Sequence, residues 1–177
     1  MASRPAKHNP CLLATYLNVH NNVMEQCRRS GFVGADTLQL SRYGRDFLLE
    51  GEIGCQGRIV IGARKILECV SVPGRPIEVQ TLVYAYNVSV RGHNKIFRYD
   101  NQHASWRYPG HRDEHHKHLF DWRTGDELAE SPLWMGVDGW PTLHEVVDEA
   151  RDWHAANRAA LDAPDDFPPN LQSVLRT

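Results

Sequence analysis

The sequence has few of the features that mark membrane-spanning, exported or metal-knotted proteins. It contains no apolar run of about 18 residues, which is the length that a transmembrane helix needs. Its first ten residues, MASRPAKHNP, lack the apolar core of a secretory signal. Its four cysteines lie far apart and form no CxxC pair, which argues against a zinc knot or a disulfide framework. We therefore expect a soluble cytoplasmic protein with no membrane association.

The length and composition are those of one globular domain. A chain of 177 residues suits a single domain with one core, and its hydrophobic content of 41% is ordinary. No internal repeat is present. Residues 1–10 are polar, and residues 162–177 are acidic and proline-rich, so both ends are predicted to be flexible within a single domain that spans 1–177.

The net charge of −2 conceals an asymmetry along the chain. Residues 1–117 carry 16 Lys and Arg against 10 Asp and Glu, whereas residues 118–177 carry 4 against 12. A basic surface attracts polyanions such as nucleic acids through counterion release. The alternative is that the acidic part is simply a solvated helix and tail.

The order of apolar residues predicts an α+β fold, an antiparallel β-meander sheet packed against an N-terminal helix and a C-terminal amphipathic helix. Short turns between consecutive strands favour antiparallel pairing, and about four strands are expected. The second helix begins with a capping box, Thr142 and Glu145. The predicted elements are a helix over 11–29, a strand or helix over 37–49, a glycine-rich turn over 51–57, strands over 58–72, 77–90 and 95–100, a core-packed loop over 124–140 and a helix over 142–160.

The segment Tyr99–His118, YDNQHASWRYPGHRDEHHKH, is unlike the rest of the chain. It holds five of the ten histidines, interleaved with charged and aromatic residues. Because its apolar residues show neither a helical nor a strand period, it is predicted to be a loop. Functional residues are often carried on loops that a rigid scaffold positions.

Two motifs in this region resemble those of the TumE-type toxins of bacterial toxin–antitoxin systems. They are RYDN at 98–101 and HHKH at 115–118, which follow two long strands and precede an amphipathic helix that begins near Thr142. The resemblance covers roughly two-thirds of the chain and leaves residues 1–50 and the tail after 161 unmatched. It implies a growth-inhibiting toxin that is neutralised by a cognate antitoxin with a helix-turn-helix domain, and it makes RNA cleavage a plausible activity.

The side chains of this segment suit RNA cleavage without a cofactor or metal. Histidine, with an ordinary pKa of about 6.5, can take the 2′-hydroxyl proton or protonate the leaving oxygen, and cations stabilise the phosphorane. We interpret His116 and His118 as the proton-transfer pair and Asp100 as the group that orients a histidine, with His103 and His111 as further candidates. The predicted substrate contacts are Arg98, Lys117 and Arg112 to phosphate, and Trp106 and Tyr108 to stacked bases.

Three other interpretations stay open from the sequence. A metal-dependent nuclease could use His111, Asp113, His116 and His118 as ligands, although their spacing fits no defined zinc motif. The segment could also bind RNA or a partner protein without catalysis, or be inert.

Three tryptophans, Trp134, Trp140 and Trp153, are expected to pack in the core and not to stack on bases.

Overall fold

The computed structural model describes residues 9–72, 74–101, 115–136 and 139–172. It shows one antiparallel sheet of nine strands with a helix near each end of the chain, which confirms the predicted α+β class. The elements are β1 (Cys11–Leu12), α1 (Leu13–Arg29), β2 (Val33–Asp36), β3 (Gln39–Tyr43), β4 (Asp46–Cys55), β5 (Ile59–Cys69), β6 (Glu78–Val90), β7 (Lys95–Asp100), β8 (His116–Leu119), β9 (Leu133–Trp134) and α2 (Leu143–Asn157).

The sheet is a meander through its long strands. The strands lie in the order β2-β4-β5-β6-β7-β8-β9, while β1 pairs with β6 and β3 pairs with β4. Two predictions about the sheet are wrong. It has nine strands instead of about four, and the glycine-rich segment 51–57 is mostly part of β4 instead of a turn. Position 51 of this strand requires a glycine, because a Cβ there would lie 2.5 Å from the carbonyl oxygen of Thr37.

Both helices pack on one face of the sheet, which we call the inner face. Alternate residues of the central strands point to it and are buried, among them Ile61 in β5, Tyr86 in β6 and Phe97 in β7. Helix α2 contributes Val146 and Val147 to the same core. The opposite, outer face is covered by neither helix.

Local sequence explains where α2 begins. The Thr142 side chain accepts a hydrogen bond from the backbone N–H of Glu145, and the Glu145 carboxylate accepts one from the backbone N–H of Thr142. This is the predicted capping box, and it satisfies donors that have no partner within the helix.

Neither helix in the described parts of the chain is long and apolar enough to cross a membrane.

As far as residue 172, the tail lies against β2 and β4. The Asp166 carbonyl accepts from the Arg58 backbone N–H at 2.8 Å, and the Gln172 N–H donates to the Glu52 carboxylate at 2.9 Å. The Phe167 ring covers Gly34, where a Cβ would come within 2.6 Å of it. Proline-rich composition alone does not reveal these contacts.

Candidate functional site

The candidate site lies on the outer face, where β7 pairs with β8. Arg98 is opposite His118 and Asp100 is opposite His116 in the antiparallel register. The intervening residues Tyr99 and Lys117 point to the inner face. Because side chains alternate along a strand, the two opposed pairs share the outer face, which therefore carries Arg98, Asp100, His116 and His118. The strand predicted over 95–100 is confirmed as β7, whereas the loop prediction is wrong for 116–118, which belong to β8.

The centre of this site is a buried Asp100–His116 pair. Asp100 is 1% exposed and His116 is 0% exposed, and His116 Nε2 lies 3.1 Å from Asp100 Oδ1. An ionised carboxylate can only accept, so Nε2 carries the proton and donates it to Asp100. The Arg98 guanidinium forms an ion pair with the other oxygen of Asp100, with Nε 2.6 Å from Oδ2.

These neighbours determine the charge of Asp100. Burial by itself raises the pKa of the carboxyl, because it disfavours the charged form. The hydrogen bond from His116 and the charge of Arg98 act in the opposite direction and outweigh burial, so the pKa of Asp100 lies below its ordinary value. Asp100 is therefore an anion at neutral pH.

His118 sits at the surface end of the cluster. Its side chain is 17% exposed, and its Nδ1 lies 2.5 Å from Glu127 Oε1. Glu127 also accepts from the Ser131 hydroxyl, and Ser131 Oγ accepts from the Leu119 backbone N–H at 3.2 Å. With Nδ1–H donated to a carboxylate, the neutral imidazole presents Nε2 as its basic nitrogen.

An aromatic side chain borders the cluster. The His116 and His118 rings meet edge to face with centroids 4.9 Å apart, and the Trp134 ring lies 5.6 Å from His116. Trp134 is 42% exposed on the last strand of the sheet. The prediction that it is a core residue is wrong, because β9 lies at the edge of the sheet; Trp140 is buried as predicted.

Lys117, a predicted phosphate contact, is not brought to this cluster. It forms an ion pair with Glu149 of α2 on the inner face, and Glu149 also accepts from the Tyr99 hydroxyl at 2.8 Å. The Lys117 ammonium lies 5.0 Å from the centroid of the Phe97 ring. The alternation of side chains along β8 separates Lys117 from both flanking histidines.

Six further predicted site residues belong to the segment 102–114. The candidates His103 and His111, the substrate contacts Trp106, Tyr108 and Arg112, and the alternative metal ligand Asp113 lie outside the described residues. The other two members of the alternative metal set, His116 and His118, do come together, and Asp100 joins them. Each of these three offers a ligand atom within 4.8 Å of the others.

Sequence reasoning missed Glu127 and Ser131. Both lie in the stretch predicted only to pack on the core, and an isolated bridge between Phe120 and Glu127 carries Glu127 back to the site. Nothing in the local sequence marks this return.

We compared the chain with family models, with curated proteins and with solved structures. No family model matches it. No curated protein and no solved structure matches it either.

Proposed function

We propose that the protein is a ribonuclease that cleaves RNA without a metal, through acid–base chemistry at His118. The observation that carries this proposal is the arrangement around that imidazole. Glu127 fixes its Nδ1, and Arg98 lies directly opposite it in the strand register. A basic nitrogen beside a cation at a partly open surface is what attack on a phosphodiester requires.

In the proposed reaction, His118 Nε2 accepts the proton of a ribose 2′-hydroxyl as that oxygen attacks the adjacent phosphorus. The bond from phosphorus to the 5′-oxygen then breaks, and the same imidazolium returns its proton to the leaving oxygen. The products are a 2′,3′-cyclic phosphate and a 5′-hydroxyl. Glu127 stabilises the imidazolium formed between the two transfers, as the carboxylate of a catalytic triad does.

The neighbouring side chains have supporting roles in this proposal. Arg98, about one-third exposed, can reach a phosphate oxygen while its Nε stays near Asp100. His116 is too deeply buried to touch RNA, so we assign it and Asp100 to positioning Arg98 and His118. The exposed ring of Trp134 offers a surface on which an unpaired base can stack.

The wider role we propose is that of a cytoplasmic toxin of a toxin–antitoxin pair, neutralised by an antitoxin with a helix-turn-helix domain. The support is the RYDN and HHKH motifs, of which residues 98–100 and 116–118 lie on the adjacent strands β7 and β8. Induced expression in a bacterial host should arrest growth and create new discrete RNA 5′ ends. A His116→Ala, His118→Ala double variant should do neither. Growth arrest without new ends would favour inhibition by binding alone.

The purified protein gives the direct test. In the presence of a chelator, His118→Gln should lower the rate of RNA cleavage by roughly 10²–10⁴-fold, the usual contribution of a proton-transfer group. The matched control is His144→Gln, because His144 lies on α2 and is exposed. Equal rates for the wild type and His118→Gln would remove His118 from the reaction.

A second candidate is metal-dependent hydrolysis. One carboxylate and two imidazoles within 4.8 Å resemble the donor set of a catalytic metal centre. The ion pair between Arg98 and Asp100 opposes this candidate, because the guanidinium already neutralises the carboxylate that a cation would need. Loss of cleavage in chelator, restored by Mn²⁺ or Zn²⁺, would favour the metal.

A further inference from the structure

A cavity of about 410 Å³ lies on the inner side of the molecule, away from the candidate site. It is bordered by α1, by β6 and by the residues at the start of α2. Its volume is within the range of small-molecule pockets, and its walls are mainly apolar. The apolar walls include Tyr16, Val19, Val23, Val79, Trp140 and Leu143.

One lysine enters this apolar space. Lys65 is in β5, and strand alternation places it on the inner face with Ala63 and Leu67, both of which are buried in the core. Its side chain borders the cavity, so the residue keeps some accessible surface although it is surrounded by protein. Its ammonium lies 5.2 Å from the centroid of the Tyr16 ring.

The described residues supply no carboxylate partner for Lys65. Three other cations on or beside the sheet differ, since Arg64 pairs with Glu50, Arg91 with Glu52 and Lys117 with Glu149. Burial lowers the pKa of Lys65 to about 8, which leaves it largely protonated at pH 7. An ammonium in an apolar wall without an anion is costly, and an anionic ligand would remove that cost.

We propose that this cavity binds a small organic carboxylate with an apolar body, whose carboxylate pairs with the Lys65 ammonium. The apolar body lies against Tyr16, Val23 and Leu143. His20, which borders the same cavity, offers a second polar contact to the carboxylate. This ligand site is separate from the proposed RNA-cleaving site, which lies on the outer face.

Octanoate is a suitable probe, with 1-octanol and octylamine as matched controls of the same chain length. Titration calorimetry on the wild type should show octanoate binding at least 10-fold more tightly than octanol, and octylamine more weakly than both. Lys65→Met keeps the length of the side chain and removes the charge. It should abolish the preference for octanoate and leave octanol binding unchanged, whereas Lys95→Met, an exposed lysine in β7, should behave as the wild type.

Proton uptake gives a second readout on the wild type itself. A bound carboxylate raises the pKa of Lys65, so above pH 8 binding must take up a proton. The uptake is measured from the dependence of the binding heat on the ionisation enthalpy of the buffer. The other titratable groups around the cavity come from β1, α1, β6 and α2, and they are Cys11, Tyr16, His20, Tyr86 and His144.

The uptake should vanish in Lys65→Met, which assigns it to Lys65 among these groups. Octanoate binding no more tightly than octanol, or with no proton uptake, would overturn the proposal. Neither result bears on RNA cleavage, so the two proposals fail independently.

Discussion

Replacing Asp100 with asparagine tests whether the buried charge at the β7–β8 junction stabilises the fold. The change keeps the shape of the side chain and removes its negative charge. The asparagine oxygen can still accept from His116 Nε2, which lies 3.1 Å from the present carboxylate oxygen. Its NH₂ group would then face the Arg98 guanidinium, which now lies 2.6 Å from the other oxygen. Two donors would meet where an ion pair existed.

The size of the effect follows from these contacts. Removing one member of a fully buried ion pair costs about 3–5 kcal/mol. Arg98 is about one-third exposed and can turn towards water. We therefore expect the free energy of unfolding to fall by less than this, by about 1.5–3 kcal/mol, as for a lost hydrogen bond to a charged group. The matched control is Asp152→Asn on the exposed side of α2, which should stay within about 0.5 kcal/mol of the wild type.

The pH dependence adds a second test. Because the pKa of Asp100 is lowered in the folded protein, its carboxylate stabilises the fold above the ordinary pKa of about 3.9. This stabilisation is lost as the pH falls through the lower pKa of the folded state. The difference between the wild type and Asp100→Asn should therefore be full above about pH 5 and shrink below about pH 4.

Urea unfolding followed by circular dichroism measures the free energy of unfolding of all three proteins over this pH range. The reasoning is refuted if Asp100→Asn is no less stable than Asp152→Asn at pH 7. It is refuted equally if the difference does not shrink in acid.

Two further predictions concern the fold and use the same unfolding assay. Thr142→Ala should lower the free energy of unfolding by about 1 kcal/mol, because it removes the side-chain cap of α2. Thr142→Ser keeps a hydroxyl and should retain most of the stability that the cap contributes. Equal losses in both variants would show that the hydroxyl does not act as the cap. Leu67→Ala should cost about 2–5 kcal/mol because Leu67 is fully buried. Leu82→Ala, at the exposed residue that the β5–β6 register skips, should cost less than about 0.5 kcal/mol. Similar costs for both would contradict the placement of Leu67 in the core.

The long elements of this fold could be predicted from sequence because each carries its own local signal. The valine- and tyrosine-rich run 77–90 becomes β6, KIFRYD becomes β7, and the capping box begins α2. The short strands β1, β8 and β9 have two to four residues and show no period that a sequence can reveal. Their existence depends on pairing with a neighbouring strand, which is a property of the whole sheet.

The candidate site was only partly predictable for the same reason. His116, His118, Asp100 and Arg98 could be named because histidines and charges are concentrated there. Which of them share a face depends on the strand register, and this separates Lys117 from the others. The contribution of Glu127 depends on a turn of the chain back to β8, which no nearby motif announces.

Cleavage of a matched pair of oligonucleotides in chelator tests the central proposal most directly. One is an RNA, and the other carries a single 2′-deoxyribose at the position where the RNA is cut. The proposed chemistry requires the 2′-oxygen as nucleophile, so the RNA should be cut to a 2′,3′-cyclic phosphate and a 5′-hydroxyl, and the substituted strand should stay intact at that position. Cleavage of both strands, or cleavage that needs an added metal, would contradict acid–base catalysis at His118.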